Sequence, residues 1–350
     1  MDKHNTKAQK RKRAGWLLKV VFLAVLIVGT VAIIAQQRST PYQHDEGFIF
    51  GTVYSVTYQY NKDLQKEIEA ELNNVDASLS PFNKQSIITQ VNNNKPVQLN
   101  DKFTEVFNLA QKISRETGGA FDITVAPLVN EWGFGFKKGV NPTTHVIDSL
   151  RAIVGFNKVA LENGRIVKKD PRIMLDCSGI AKGYGSDCVA RLLRKKGIEN
   201  FMVEIGGEVV TSGVNSDRVP WRIGVTKPVD DPTQENQELQ TVLNVTDKSM
   251  ATSGNYRNFY YKGGKKYAHT IDPKTGYPVQ HNILSATVLS DECAVADAYA
   301  TSFMVLGLDG AKKILRNHPE LMAYLIYSDA KGKNQVWFSP SMKGKIVNDK

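Results

Sequence analysis

Apolar residues recur along this chain at three spacings, and each predicts a different element. From Gly15 to Ala35 they are nearly continuous (GWLLKVVFLAVLIVGTVAIIA), 21 residues carrying one charge, Lys19. That length matches the roughly 20 residues a helix needs to cross a bilayer, and Lys19, near its start, can snorkel to the headgroups. In 48–60 (FIFGTVYSVTYQY) apolar and polar residues alternate among β-formers, which predicts a strand. Leu64, Ile68, Leu72 and Val75 lie three or four apart and predict a helix over 63–79. Phe103, Val106, Phe107, Ala110 and Ile113 predict another over 102–117, stopped by Gly118-Gly119. Between them LSPFNKQSIITQVN (79–92) reads as a loop entering a short turn or helix.

Further on, two short strands over 159–175 flank Asn163-Gly164, a hairpin signal. A helix is expected over 184–196. VEIGGEVVTSG and WRIGVTKP read as strands, 230–238 as a polar loop, and YYKGGKKYAHTI as a hairpin turning at Gly263-Gly264. Residues 293–317 hold a helix, a Gly-bearing break and a second helix, and 309–350 otherwise close the chain with a strand or two. No repeat of 20–50 residues is visible. Strands and helices interleave without a regular βαβ beat, so the fold class is α+β.

Charge sharpens the N-terminal reading. Of the net +10, residues 1–38 carry +7 through eight Lys/Arg against Asp2 alone, so the rest of the chain is close to neutral. A nucleic-acid-binding face is therefore not indicated. Because the basic cluster precedes the apolar run, the positive-inside rule keeps the N-terminus cytoplasmic. The expected organisation is a basic cytoplasmic tail (1–14), a transmembrane anchor (15–35), a linker with Pro41 and Gly47 (36–47) and an extracytoplasmic domain (48–350). A cleaved signal peptide is the rival reading. The run is long for one, and Ile33-Ile34-Ala35-Gln36 is a poor cleavage site. Three cysteines (Cys177, Cys188, Cys293) make no disulfide framework and no metal spacing, so they read as small buried hydrophobes.

Three segments could carry chemistry. Asp176-Cys177-Ser178-Gly179-Ile180-Ala181-Lys182-Gly183 precedes a helix. Small residues there let backbone N–H groups approach an anion, with Lys182 to neutralise it. A tight strand–helix turn explains the same glycines. The segment fits neither a Walker A loop nor G-x-G-x-x-G. On a helix, Asp297 and Thr301 are i and i+4 and share a face; a carboxylate with a hydroxyl is hard-oxygen ligation of the kind Mg2+ takes alongside substrate phosphates. An acid on an exposed helix face is the plainer reading. His269, before the Asp272-Pro273 turn, is either a base or phosphate ligand or a structural hydrogen bonder. The other histidines show no zinc-type pairing. Gly-Gly at 118–119 and 206–207, with Ser253-Gly254, suggests backbone packed closely around a large flat ligand.

Taken in order, these segments resemble the ApbE family of FAD:protein FMN transferases, from about Phe50 to about Leu308. The resemblance is carried by Phe50-Gly51-Thr52-Val53-Tyr54, Leu79-Ser80-Pro81-Phe82, Gly119-Ala120-Phe121-Asp122-Ile123-Thr124-Val125-Ala126-Pro127-Leu128 and Trp132-Gly133-Phe134-Gly135. The D-x-S-G-I-A-K-G, I-G-G, T-S-G-x-Y, H-x-I-D-P-x-T-G and A-D-A-x-A-T segments follow in family order. It implies an ApbE-type fold of two sheet-and-helix halves with the FAD site in the cleft between them. It implies Mg2+ held by Asp297, Thr301 and the Gly179 carbonyl. Phe50, Phe82, Ala120, Phe121, Asp122, Asp176, Lys182, Ser253 and Ile271 would line the FAD site. His269 is the candidate to accept a hydroxyl proton or steady the phosphate, with Asp272 orienting it. The implied reaction moves FMN from FAD to a Thr or Ser hydroxyl of a partner protein and releases AMP. Implied partners are flavoprotein subunits of membrane complexes of the Na+-translocating NADH:quinone oxidoreductase or Rnf type. FAD hydrolysis to FMN and AMP, or a membrane-tethered flavin-binding protein without turnover, are the alternatives. Phe82 stands where Tyr is common, Phe50 where Met is, and an anchor where many members are lipoproteins. None of these touches the expected metal or pyrophosphate positions.

Overall fold

The apolar run lies inside one helix, α1, Lys3–Ser39. The computed structural model describes residues 3–136, 142–230, 238–256 and 258–347. Its contacts divide the chain into Met1–Gln43 with Gln59–Asp63, and His44–Tyr58 with Leu64–Lys350. In the first unit, Gln59 Nε2 donates to Thr40 O (2.8 Å) and Tyr60 N to Pro41 O (3.0 Å). The described side chains of the run, Gly15–Val31 and Ile33, are exposed, Trp16 by 66%. Among the described residues no helix is long and apolar enough to cross a membrane. The side chains of the basic tail over 1–14 lie outside the described residues, as does most of the polar loop read over 230–238.

The second unit is built on one sheet. Its helices are α2 (Gln65–Leu79), α3 (Ile87–Asn92), α4 (Asp101–Glu116), α5 (Ala126–Glu131), α6 (Thr144–Arg151), α7 (Ala181–Lys195) and α8 (Cys293–Asn317). Its strands begin with β1 (Tyr42–Ile49), β2 (Thr52–Gln59), β3 (Val159–Glu162), β4 (Arg165–Lys168), β5 (Phe201–Ile205), β6 (Glu208–Ser212), β7 (Arg222–Thr226) and β8 (Leu239–Asn244). They continue with β9 (Ser249–Gly254), β10 (Phe259–Lys262), β11 (Lys265–Ala268), β12 (Ile283–Ser290), β13 (Met322–Ser328), β14 (Asn334–Phe338) and β15 (Ile346–Val347). Eight strands form one sheet in the order β1-β2-β5-β6-β9-β12-β13-β14; β15-β8-β7 form a second, and β3-β4 and β10-β11 are separate hairpins. The pairings from β2 to β14 in the large sheet are antiparallel. The α+β expectation therefore holds. The expected division into two sheet-and-helix halves is not seen as such: the eight-stranded sheet runs through the unit, and the three-stranded sheet packs against its β12–β13 strands.

Both faces of the central strands are covered, and the sequence shows how. Along β12 and β13, Ala286, Val288, Ala323 and Leu325 join the core shared with α2, α4 and α8. Their neighbours Leu289, Tyr324 and Ile326 pack with Val225 and Leu243 of the three-stranded sheet. Strand period 2 thus feeds two cores. The helices follow their apolar stripes: Ile68, Leu72 and Val75 of α2 are fully buried, and α4 is opened by Asn100, whose side chain accepts from Phe103 N.

Two boundaries differ from the sequence reading, and one expected break is found. The strand expected over 48–60 is split, because Phe50 and Gly51 turn the chain at φ +53° and +76°, conformations that only glycine adopts cheaply. The second strand of the 159–175 hairpin stops at Lys168, and the chain reaches α7 through turns. The Gly-bearing break after Thr301 is real: Gly307 has φ +73° inside α8.

Candidate functional site

The site begins where α7 meets α8. A Cβ on Gly183 would stand 2.5 Å from the carbonyl oxygen of Cys293, so only glycine allows this approach. One turn on, the Asp187 carboxylate accepts from Cys293 N and Ala294 N, both at 2.8 Å, capping α8 from another helix. Burial pushes the Asp187 carboxyl up to about 6, against the pull of those two bonds. The cap fixes the first turns of α8, which carry Asp297 and Thr301. Asp297 is 4% exposed, and its Oδ2 accepts from Gly183 N at 3.2 Å. Thr301 Oγ1 lies 3.2 Å from Ser253 Oγ on β9. Gly179 packs on it: a Cβ there would meet Thr301 Oγ1 at 3.1 Å and the Phe121 ring at 3.3 Å.

These groups face a cavity of about 570 Å³. Of the residues expected in the site, Phe50, Phe82, Ala120, Phe121, Asp122, Asp176, Gly179, Lys182, Ser253, His269, Ile271, Asp297 and Thr301 all line it. Asp272 does not. Its Oδ1 accepts from Lys274 N (2.9 Å) and its main chain closes the turn to Gly276 and Tyr277. His269 is oriented instead by the main chain of Asn258, whose carbonyl oxygen lies 3.2 Å from Nδ1 and accepts from the His269 N–H at 3.1 Å. A carbonyl only accepts, so Nδ1 carries the proton and Nε2 a lone pair. Burial lowers the His269 pKa, which favours the neutral ring.

Two expected ligands have internal work. Asp122 spends its carboxylate on Thr124 N (2.8 Å), Thr124 Oγ1 (2.7 Å) and Phe156 N (2.7 Å), holding the 120–124 loop against the cavity. Asp176 Oδ1 accepts from Ser178 N and Oγ, shaping the turn into α7. Lys182, expected to neutralise a bound anion, forms an ion pair with Glu208, whose side chain is 3% exposed. Burial alone would lower the Lys182 pKa; the carboxylates of Glu208 and Asp297 more than offset it and raise it. Burial pushes Glu208 up, with Lys182 opposing.

Glu208, Asp187 and Asn258 were missed by sequence reasoning. A carboxylate opening the strand Glu208–Ser212, otherwise apolar at Val209-Val210, was the available signal for Glu208. Asp187 sits mid-helix with no local mark of its role, and Asn258 acts through its backbone, which no side-chain pattern reveals.

Part of the lining is aromatic. Phe134 stacks on Tyr260 (5.3 Å between centroids) and presents its edge to His269 (6.4 Å, 70°). Behind it Tyr260, Tyr267, Trp132 and Tyr277 continue the contacts. At the rim Phe82 and Phe136 lie 5.2 Å apart and are 72% and 56% exposed.

The donor set can be tested for a divalent cation. Among the described residues there is no cluster of three His, Cys, Asp or Glu able to hold a metal, so an all-protein cage is not built. One buried carboxylate and one hydroxyl facing a cavity suit an ion that takes its remaining ligands from substrate oxygens and water, which is the habit of Mg2+. The residues fit.

A roomy cleft lined by aromatic rings, a lysine, two buried carboxylates and a histidine suits a large, flat, anionic substrate. The chain belongs to the ApbE family, whose model matches residues 50–326. It is 38% identical over 275 residues to the FAD:protein FMN transferase of Vibrio cholerae serotype O1, covering 75% of this chain and 81% of the relative. It is 35% identical over 325 residues to the enzyme of the same name from Haemophilus influenzae, covering 88% and 93%. The solved structure of the flavin transferase ApbE from Vibrio cholerae superposes with a TM-score of 0.79 at 34% identity, over 87% of this chain and 99% of that one.

Proposed function

We propose that this enzyme transfers FMN from FAD to a Thr or Ser hydroxyl of a partner protein, releasing AMP. The observation that carries this reading is the convergence on one cavity of His269, Lys182, Asp297 and Thr301. The acceptor oxygen forms a bond to the FMN-side phosphorus, and the bond from that phosphorus to the bridging oxygen breaks, so that AMP leaves. The hydroxyl proton passes to Nε2 of His269, whose lone pair is set by the Asn258 bond and whose neutral form burial favours. Lys182 neutralises phosphate charge. Asp297 and Thr301, with the Gly179 carbonyl, would hold Mg2+, which when bound would supply positive charge to polarise the pyrophosphate and stabilise the leaving group. Positioning by the rings and the capped helix supplies much of the remaining rate, as in other phosphoryl transfers.

The Gly15–Ala35 run serves as a membrane anchor. Supporting this are its length, the preceding basic residues and the exposure of its described side chains. The catalytic domain, 48–350, then faces the periplasm and reaches flavoprotein subunits of membrane electron-transport complexes of the Na+-translocating NADH:quinone oxidoreductase or Rnf type. A reporter fused after Lys350 that is active only in the cytoplasm would overturn this placement.

The chemistry is tested by mixing the full chain with FAD, Mg2+ and an acceptor domain and reading flavin fluorescence in a denaturing gel. The acceptor gains a fluorescent band and the mass of FMN, and Asp297→Ala reduces the rate about a hundredfold or more. AMP release with no labelled acceptor would favour hydrolysis; bound FAD without turnover would favour a binding protein.

A further inference from the structure

Glu208 is the charged group of the cavity that no motif assigns. It opens β6 directly after Gly206-Gly207 and is 3% exposed. Ser186 Oγ, on the second turn of α7, donates to its carbonyl oxygen at 3.0 Å. Its carboxylate takes the ammonium of Lys182, on the first turn of the same helix. Glu208 therefore grips α7 twice. The residue after Lys182, Gly183, donates its N–H to Asp297 at 3.2 Å. One ammonium thus has two buried carboxylates within its field, Glu208 and Asp297. Which of them it occupies decides whether Asp297 is open to another cation.

We propose that Glu208 is a positioning residue that holds Lys182 away from Asp297 and so keeps Asp297 available to a divalent cation. The inference rests on the reading of Asp297 and Thr301 as cation ligands. Removing one partner of a buried ion pair leaves the other charge uncompensated, and lysine, on a flexible four-carbon stem, moves to the nearest replacement. With Glu208 neutral that replacement is Asp297, and the ammonium competes with the cation. A different effect, in which Glu208 attracts the cation by its own charge, would operate whether or not Lys182 is present. The two differ in whether the effect of Glu208 depends on Lys182: the first couples the two residues and the second leaves them additive.

The test uses Mn2+, a hard divalent probe visible by electron paramagnetic resonance, titrated into the full-length chain without FAD. Glu208→Gln is expected to weaken Mn2+ binding by about tenfold or more, equivalent to roughly 1.4 kcal/mol. Lys182→Met is expected to bind at least as tightly as the wild type. The double variant is expected to return to within about threefold of Lys182→Met, the coupling that a double-mutant cycle isolates. An equal loss from Glu208→Gln in both backgrounds, or no loss beside an intact Lys182, overturns the proposal. If Glu208→Gln does not fold, Glu208→Asp replaces it, with the same cycle and the same criterion. Equal binding by the wild type and Asp297→Ala would remove the cation reading itself, and this inference with it. That result is distinguishable because it appears before Glu208 is altered.

Discussion

The two walls of the cavity are made in different ways. On the α7–α8 side the polar groups are buried and partnered: Asp187 on the start of α8, Asp297 on Gly183 N, Lys182 on Glu208. On the aromatic side the rim rings, Phe82 and Phe136, stand largely in solvent. The first wall fixes where charge can develop and tolerates no change of shape. The second offers apolar area that can adapt to a flavin or to an incoming protein segment. Chemistry is assigned to the rigid wall and recognition to the open one, and substitutions should separate the two.

The largest effect should come from Asp187. The folded carboxyl keeps its proton up to about 6, whereas its ordinary value is 3.8. Between those values the folded state binds more protons than the unfolded one. Its contribution to stability is therefore fully present below the ordinary value and is lost as pH rises through 6. The loss amounts to roughly 3 kcal/mol. Denaturant unfolding from pH 4 to 7 should show this fall in the wild type and a flatter profile in Asp187→Asn. A profile unchanged by the substitution would detach Asp187 from it. Next, Gly183→Ala forces a methyl toward the Cys293 carbonyl. It should cost about 1–3 kcal/mol in unfolding free energy and lower the transfer rate, because the helices must part where Asp297 is held. A variant with native melting temperature and rate would show that the approach is not tight. The smallest effect belongs to the rim. Phe82→Ala with Phe136→Ala should raise the KM for FAD about tenfold, leave kcat nearly unchanged, and alter stability by less than about 1 kcal/mol. A collapse of kcat instead would place the rim rings in the chemistry and break the division between the walls.

What the sequence revealed follows the same division of labour. The helices α2 and α4 were legible because one face of each is apolar at helical spacing and the other meets water. The strands β8, β9 and β12 escaped notice. Strand β12 (ILSATVLS) is buried on both faces and so shows no alternation, and β9 (SMATSG) lacks bulky β-formers. The split at Phe50-Gly51 was hidden by alternation that continues across the turn. Nearly all the candidate site was visible as ordered motifs, including residues of α7 and α8 more than a hundred positions apart. The remainder was not, for a physical reason. Asp187 and Glu208 act on elements distant in sequence, and the Asn258 carbonyl that orients His269 belongs to the backbone. Asp272 seemed the natural partner for His269 because it is three residues away, yet its carboxylate closes its own turn.

In the proposed reaction, the bond broken in FAD is matched by a bond made to a protein oxygen. The most direct test measures AMP released and FMN covalently attached in one reaction of the full chain with FAD, Mg2+ and an acceptor domain. Equal amounts of the two are expected throughout the time course, with both lost together in His269→Asn. AMP accumulating well ahead of attached FMN would contradict it, and would show that water, rather than a protein hydroxyl, receives the flavin phosphate.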